Sequence, residues 1–333
     1  MSEHVVWTQW DDLNVPANFK KLSPINTPAE TGDLSEVTFY VPTYMGGYPA
    51  LELSKKMPKL QVLQVPNAGY DDALDYLRPG ITLCNGRGIH NDSTAELAVG
   101  LTIASLRGFV EFVRNQDQGE WVNRNHKSIN DCKIGIVGYG SIGSTIAKML
   151  SGFTVEIVPF TQSGRDNTYP ITQLDSHLPT LDVVILILPL TKDSRHLFDA
   201  RRLALMKDDS LLVNMARGPV VDTEALIKEL NSGRITAALD VTDPEPLPKD
   251  HPLWRAKGVL ISPHVGGNSN AFEKRAKALI ESQLKLLAEG KPLNNVITIG
   301  SKFHNSFLLK ISGPALFSVA VLLLAPARGI DKY

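Results

Sequence analysis

The chain is poor in cysteine: Cys84 and Cys132 are the two among 333 residues. They lie far apart and show no metal-ligand spacing, which excludes a disulfide framework and a cysteine-based zinc site. The expectation is two buried small side chains in a reducing compartment, and no metal. An excess of either charge is also missing. Lys and Arg number 34 against 35 Asp and Glu, a formal net charge of -1, so there is no electrostatic case for nucleic acid or an anionic membrane as partner. The start, Met1-Ser2-Glu3-His4, runs at once into Val5-Val6-Trp7-Thr8 without a basic stretch and apolar core. No secretory signal is expected, and cytoplasmic placement follows. One uncharged run, residues 311–327, comes near membrane-spanning length but contains Gly313, Pro314 and two serines. It is expected to pack on the first domain or to form an apolar extension rather than to enter a membrane, and deletion after Gly300 should leave an active enzyme.

What the chain has is alternation. Apolar, β-branched runs recur at residues 5–8, 37–41, 61–65 and 81–84, then at 133–137, 155–158, 183–188, 211–215, 235–241 and 259–262. Stretches of helical spacing follow them. Continuous apolar strands are buried on both faces, which means parallel sheets covered by helices. Two such sets predict an α/β protein of two doubly wound, Rossmann-like domains. Between them, Ser93-Thr94-Ala95-Glu96 has the form of a capping box with Ser93 as N-cap, opening a helix that runs to Gly108. Residues 116–130 are polar and predict an exposed connection. A last helix over about 271–288 carries Ala276, Leu279, Ile280, Leu284 and Leu287, and Gly290 with Pro292 ends it.

Directly after the 133–137 run comes Gly138-Tyr139-Gly140-Ser141-Ile142-Gly143, and then the helical stripe Ile146, Ala147, Met149, Leu150. Strand, G-x-G-x-x-G and helix in this order predict a dinucleotide site. Gly138 permits the tight turn, Gly140 lets a pyrophosphate approach the backbone, and Gly143 lets helix and strand pack closely. Ser141 and Ile142 open the helix whose free N–H groups would face the phosphates. An NAD-selective site carries an acid at the end of the next strand. Here Thr161 stands there, followed by Gln162, Ser163 and Arg165. This favours NADPH over NADH, and Asp166 argues the other way.

Three further patches each follow an apolar strand, where open α/β sheets bind ligands. They are Asn214-Met215-Ala216-Arg217-Gly218, Asp240-Val241-Thr242-Asp243-Pro244-Glu245 and Ser262-Pro263-His264-Val265-Gly266-Gly267. Singly, Arg217 reads as a capping or surface arginine, Glu245 as a solvated acid and His264 as a core histidine. Together they predict a catalytic set: a planar cation for a carboxylate, an acid, and a histidine.

The glycine motif, Leu188-Pro189-Leu190-Thr191 and these three patches, in this order and spacing, resemble the D-2-hydroxyacid dehydrogenase family over about residues 37–297. The resemblance extends to the glyoxylate/hydroxypyruvate reductase-like and phosphoglycerate dehydrogenase-like members. It implies a cofactor domain (96–289) inserted in a substrate domain (1–95 plus 290–333), and usually a homodimer. It implies that Arg217, Glu245 and His264 are catalytic. Pro189, Met215, Ala216, Asp240, His264 and Gly266 would line the cofactor, Asp240 against the nicotinamide. Asn67, Ala68 and Gly69 would hold the substrate carboxylate with Arg217.

The implied reaction is reduction of a small 2-oxo acid by NAD(P)H. Protonated His264 donates to the carbonyl oxygen, Glu245 favours the charged imidazole, and Arg217 grips the carboxylate and polarises the carbonyl. Neither Tyr44-Met45-Gly46-Gly47 nor Asn67-Ala68-Gly69 holds a basic cluster, so glyoxylate or hydroxypyruvate is favoured over a phosphorylated acid. Two alternatives stand beside this. Relatives act on formate or phosphite, although formate enzymes of this type carry glutamine where Glu245 stands. Corepressor-like relatives use the fold as a non-catalytic, NAD-sensing interaction protein.

Overall fold

The computed structural model describes residues 4–165 and 167–297. Asp166 and the apolar run 311–327 lie outside them. Twelve strands form two all-parallel sheets among the described residues. The first contains β1 (His4–Trp7), β2 (Phe19–Leu22), β3 (Phe39–Tyr40), β4 (Val62–Gln64) and β5 (Thr82–Cys84), in the order β2-β1-β3-β4-β5. The second contains β6 (Lys133–Val137), β7 (Glu156–Thr161), β8 (Tyr169–Pro170), β9 (Val183–Leu186), β10 (Leu211–Asn214), β11 (Thr236–Leu239) and β12 (Val259–Ile261). Its order is β12-β11-β10-β9-β6-β7-β8. The order reverses between β6 and β9, which opens a crevice at their C-terminal ends. The two doubly wound sheets are those that the alternation predicts.

The period of two sends alternate strand residues to opposite faces. Val183 and Ile185 join Leu211, Val213, Ile134 and Ile136 in one core layer. Val184 and Leu186 join Leu212, Ala237 and Leu239 in the other. Ala95, Ala98 and Leu101 of the helix Asn91–Leu106 cover the first face with Ile146 and Leu150 of Ser141–Leu150. Leu226 and Leu230 of Thr223–Ser232 cover the second. Each buried side chain of this size contributes about 1.5–3 kcal/mol.

The helix Phe272–Ala288 crosses back: Ala276, Ile280 and Leu284 pack with Val6, Phe39, Val62 and Cys84 of the first sheet. The chain then pairs with the β5 edge, where Val296 bridges Cys84 in antiparallel fashion. Both cysteines are buried and unpaired.

Three local expectations need correcting. Ser93 is not an N-cap. The helix starts at Asn91 after His90, without a side-chain cap, and Ser93 Oγ instead meets Ser269 Oγ at 2.5 Å. The 116–130 connection is largely exposed as expected, but its first three residues end a helix, Phe109–Gln118, which buries none of its residues. Strands β2 and β8 are additional edge strands.

Candidate active site

The glycine loop turns as its spacing requires. Gly138 has φ +103°, a conformation that side chains rarely tolerate. A Cβ on Gly138 would meet the Ile187 carbonyl oxygen at 2.4 Å, and one on Gly143 the Gly138 oxygen at 2.6 Å. A Cβ on Gly140 would meet nothing within 4 Å. It faces the cleft, so the backbone there is open to a phosphate. The helix Ser141–Leu150 has no side-chain cap at its N-terminus, which leaves its first amides for an anion. These residues fit a dinucleotide pyrophosphate.

At the end of β7 the Thr161 hydroxyl is committed to its own loop. Its Oγ1 accepts from the backbone N–H groups of Gly164 (3.1 Å) and Arg165 (3.3 Å) and lies 2.7 Å from Thr168 Oγ1. Thr168 in turn donates to the Arg165 carbonyl. With the Thr168 proton on that carbonyl, the Thr161 hydroxyl is the donor between the two threonines. Arg165 lines the cleft and makes no ion pair among the described residues.

Three strand-end loops assemble the predicted set. After β10, Asn214 braces the turn: Oδ1 accepts from the Ala216 N–H at 3.0 Å, and Nδ2 donates to the Arg217 carbonyl at 3.1 Å. Arg217 Nη1 donates to the Ala216 carbonyl at 2.9 Å, and Nη2 to Asp71 Oδ1 at 3.3 Å. After β11, Asp240 is 4% exposed. Its Oδ1 accepts from Ser262 Oγ (2.6 Å) and the Val265 N–H (2.9 Å), and its Oδ2 from the Gly266 N–H (2.9 Å). It thereby ties down the loop after β12, where His264 takes φ +52°. His264 Nδ1 meets Glu245 Oε1 at 2.5 Å, which leaves Nε2 for proton exchange. A Cβ on Gly218 would lie 1.9 Å from the Thr242 carbonyl oxygen, so the Arg217 and Glu245 loops touch backbone to backbone.

The hydrogen bond to Glu245 raises the His264 pKa; partial burial and the Arg217 charge oppose the rise. Burial pushes Glu245 upward, yet the hydrogen bond and charge of His264 outweigh it and hold the acid below its ordinary value. The pair is thus poised as imidazolium and carboxylate.

All of the predicted site residues except Gly143 line one cleft of about 1330 Å³. Gly143 is used in helix–strand packing. Asn67, Ala68 and Gly69 enter from the first sheet, beside Arg217. Asn67 Oδ1 is buried without a hydrogen bond among the described residues, an open acceptor for a ligand.

Sequence reasoning assigned no role to Asp71, Asp72, Asn214 or His90, although Asp71 closes the run Pro66-Asn67-Ala68-Gly69-Tyr70-Asp71 and Asn214 lies in the strand-end run. His90 Nε2 lies 3.1 Å from the Pro66 carbonyl, and its ring stacks on Phe272 at 5.2 Å. Burial lowers its pKa, so it is a neutral structural histidine.

Residues 99–266 match the profile described as D-isomer specific 2-hydroxyacid dehydrogenase, NAD binding domain. A glyoxylate reductase from Thermofilum pendens is 35% identical over 255 residues, 72% of this chain and 75% of that one. A D-3-phosphoglycerate dehydrogenase from Methanocaldococcus jannaschii is 30% identical over 264 residues, 74% of this chain and 49% of that one. Among solved structures, a D-isomer specific 2-hydroxyacid dehydrogenase family protein from Aeromonas salmonicida subsp. salmonicida superposes with a TM-score of 0.78 at 25% identity. It covers 89% of this chain and 99% of that one.

Proposed function

The chain belongs to the D-isomer specific 2-hydroxyacid dehydrogenase family, and from that membership and the cleft geometry we propose that it reduces glyoxylate or hydroxypyruvate, with Arg217, Glu245 and His264 as its catalytic residues. It is an NAD(P)-dependent oxidoreductase acting on 2-oxo and 2-hydroxy acids. The observation that carries the residue assignment is the 2.5 Å contact between His264 Nδ1 and Glu245 Oε1 at the mouth of β11 and β12. The first sheet, with the returning segment from 290, is the proposed substrate domain, and the last helix joins it through its packing. The second sheet is the cofactor domain.

When bound, the reduced nicotinamide supplies a hydride to the keto carbon. Arg217 binds the substrate carboxylate and polarises the adjacent carbonyl. The Asn67–Gly69 backbone completes the carboxylate site. His264, held charged by Glu245, gives its Nε2 proton to the carbonyl oxygen and recovers it in the reverse direction. Asp240 positions His264 through the loop amides it binds. Gly138, Gly140, Ser141 and Ile142 hold the pyrophosphate, Pro189, Met215, Ala216 and Gly266 line the rest of the cofactor, and Gly143 supports it by packing.

Two finer assignments follow. Preference for NADPH is supported by the missing acid at Thr161 and by Arg165 on the cleft wall. A homodimer is supported by the helix Phe109–Gln118 and the segment after it, where Phe109, Phe112, Val113 and Trp121 are exposed, Trp121 by 98%. A second copy would cover this face. The buried, unpaired cysteines support a cytoplasmic setting; no helix among the described residues is long and apolar enough to cross a membrane.

The test is turnover of a panel of 2-oxo acids with NADH and NADPH, repeated with His264→Ala. Reduction of glyoxylate or hydroxypyruvate that disappears in the variant supports the reading. Formate or phosphite oxidation without it, or no turnover at all, would replace it. The intact His264–Glu245 pair favours the enzyme over a non-catalytic, NAD-sensing role.

A further inference from the structure

The acidic end of the cleft takes no part in the steps above. We propose that Asp71 is a built-in carboxylate that occupies Arg217 between turnovers, and that Asp71 and Asp72 together restrict the enzyme to 2-oxo acids bearing a single negative charge. The proposal rests on Arg217 being the substrate-carboxylate clamp.

Asp71 comes from the first sheet. It follows Gly69 by two residues and opens the short turn Asp71–Tyr76. Its Oδ1 lies 3.3 Å from Arg217 Nη2, and both side chains are partly exposed. One donor on Nη1 is already given to the Ala216 carbonyl. A substrate carboxylate seeking a two-pronged grip on the guanidinium therefore competes with Asp71 for Nη2. The ion pair is long and open to water, so an incoming carboxylate can displace it.

Displacement leaves a charge pattern that selects. Once the substrate carboxylate neutralises Arg217, Asp71 loses its partner and Asp72 stands beside it. Asp72 is half-buried and lines the same cleft. Burial first, and then the Asp71 charge, push its carboxyl upward, against the pull of Arg217. A second anion on the substrate would meet like charge. A hydrogen, methyl or hydroxymethyl group would not.

The experiment measures kcat/KM for two matched pairs, hydroxypyruvate with 3-phosphohydroxypyruvate and pyruvate with oxaloacetate, in the unmodified enzyme, Asp71→Asn, Asp72→Asn and the double variant. The unmodified enzyme should favour the monoanion of each pair at least about tenfold, the factor that one weakly screened like charge commands. Each single variant should cut that ratio several-fold, and the double variant most of it. Asp71→Asn should also lower KM for the monoanion, with its effect in KM rather than kcat, and Asp71→Glu should restore the discrimination.

An unchanged ratio in the double variant overturns the proposal. So does a rise in KM with a fall in kcat for every substrate in Asp71→Asn, which would make Asp71 a positioning residue for Arg217. A dianion preference in the unmodified enzyme also overturns it, and would turn attention to Arg87 on the same cleft wall. Calorimetric binding of D-lactate and D-malate to the same variants with NADPH, a pairing in which neither partner can accept a hydride, gives the ratio without turnover. If no 2-oxo acid is reduced, the functional reading fails, while the binding ratio still decides the charge proposal; absence of binding by either anion also overturns it.

Discussion

Gly69 lies directly against the guanidinium of Arg217: a Cβ built on Gly69 would sit 1.7 Å from Nη2. A residue of the first sheet thus fixes where an arginine of the second can rest. Gly69→Ala should push the guanidinium away from its present place. Loss of a charge-assisted hydrogen bond is worth about 1.5–3 kcal/mol, so kcat/KM for a 2-oxo acid should fall by about 10–150-fold. Cofactor affinity, measured by fluorescence titration, should hold. An unchanged kcat/KM would mean that Arg217 does not work from this position.

His264→Ala removes the proposed proton donor and leaves the glycine loop untouched. Turnover should fall by about 10²–10⁴-fold, with cofactor affinity retained. Near-normal turnover would remove His264 from the mechanism.

The pH dependence has a defined sign. In the proposed mechanism reduction needs His264 protonated, and its pKa stands above the ordinary 6.5 because of Glu245. The rate of reduction should be level at low pH and decline as pH rises through that raised pKa; oxidation should show the opposite limb. In Glu245→Gln the carboxylate is gone, while burial and Arg217 still oppose the charged ring. The descending limb should move to lower pH. A profile that does not move would separate Glu245 from the titration.

Arg165→Ala tests the cofactor assignment. With Thr161 tied to Thr168, Arg165 is the cation that this strand end presents to the cleft for a 2′-phosphate. The variant should lose several-fold in kcat/KM with NADPH and change little with NADH. A strong NADH preference in the unmodified enzyme would end the assignment.

Gly218→Ala should destabilise the cofactor domain as a whole. The new methyl would have to enter the Thr242 carbonyl, at 1.9 Å, and backbone on both sides would have to move. Overpacking of this kind costs about 1–3 kcal/mol or more. A lower melting temperature, together with lower activity, is the expected result.

What was legible in the sequence was what is local. Strand β6, its glycine turn and the following helix occupy one continuous stretch, and the same holds for the loops after β10, β11 and β12. Strand β2 was hidden because Phe19-Lys20-Lys21-Leu22 places two lysines on an edge strand, and β8 because it has only two residues. The Ser93 pattern was genuine as a pattern, but the helix begins two residues earlier. The Phe109–Gln118 helix buries no residue against the described chain, so it lacked the signal that packing leaves. Asp71 closes the run Pro66-Asn67-Ala68-Gly69-Tyr70-Asp71 that resembles the substrate loop, but its pairing with Arg217, 146 positions away, leaves no trace in the sequence.

The backbone contact between Gly218 and Thr242, with Asp240 gripping the loop of His264, ties the proposed catalytic residues together on a single sheet. The loop of Asn67, Gly69, Asp71 and Asp72 comes from the other. A lineage could therefore exchange its diet without retuning its proton chemistry, by redrawing half a dozen residues after β4. Grafting that loop from a relative with different substrates is the corresponding engineering route, and it needs glycine at position 69 to succeed.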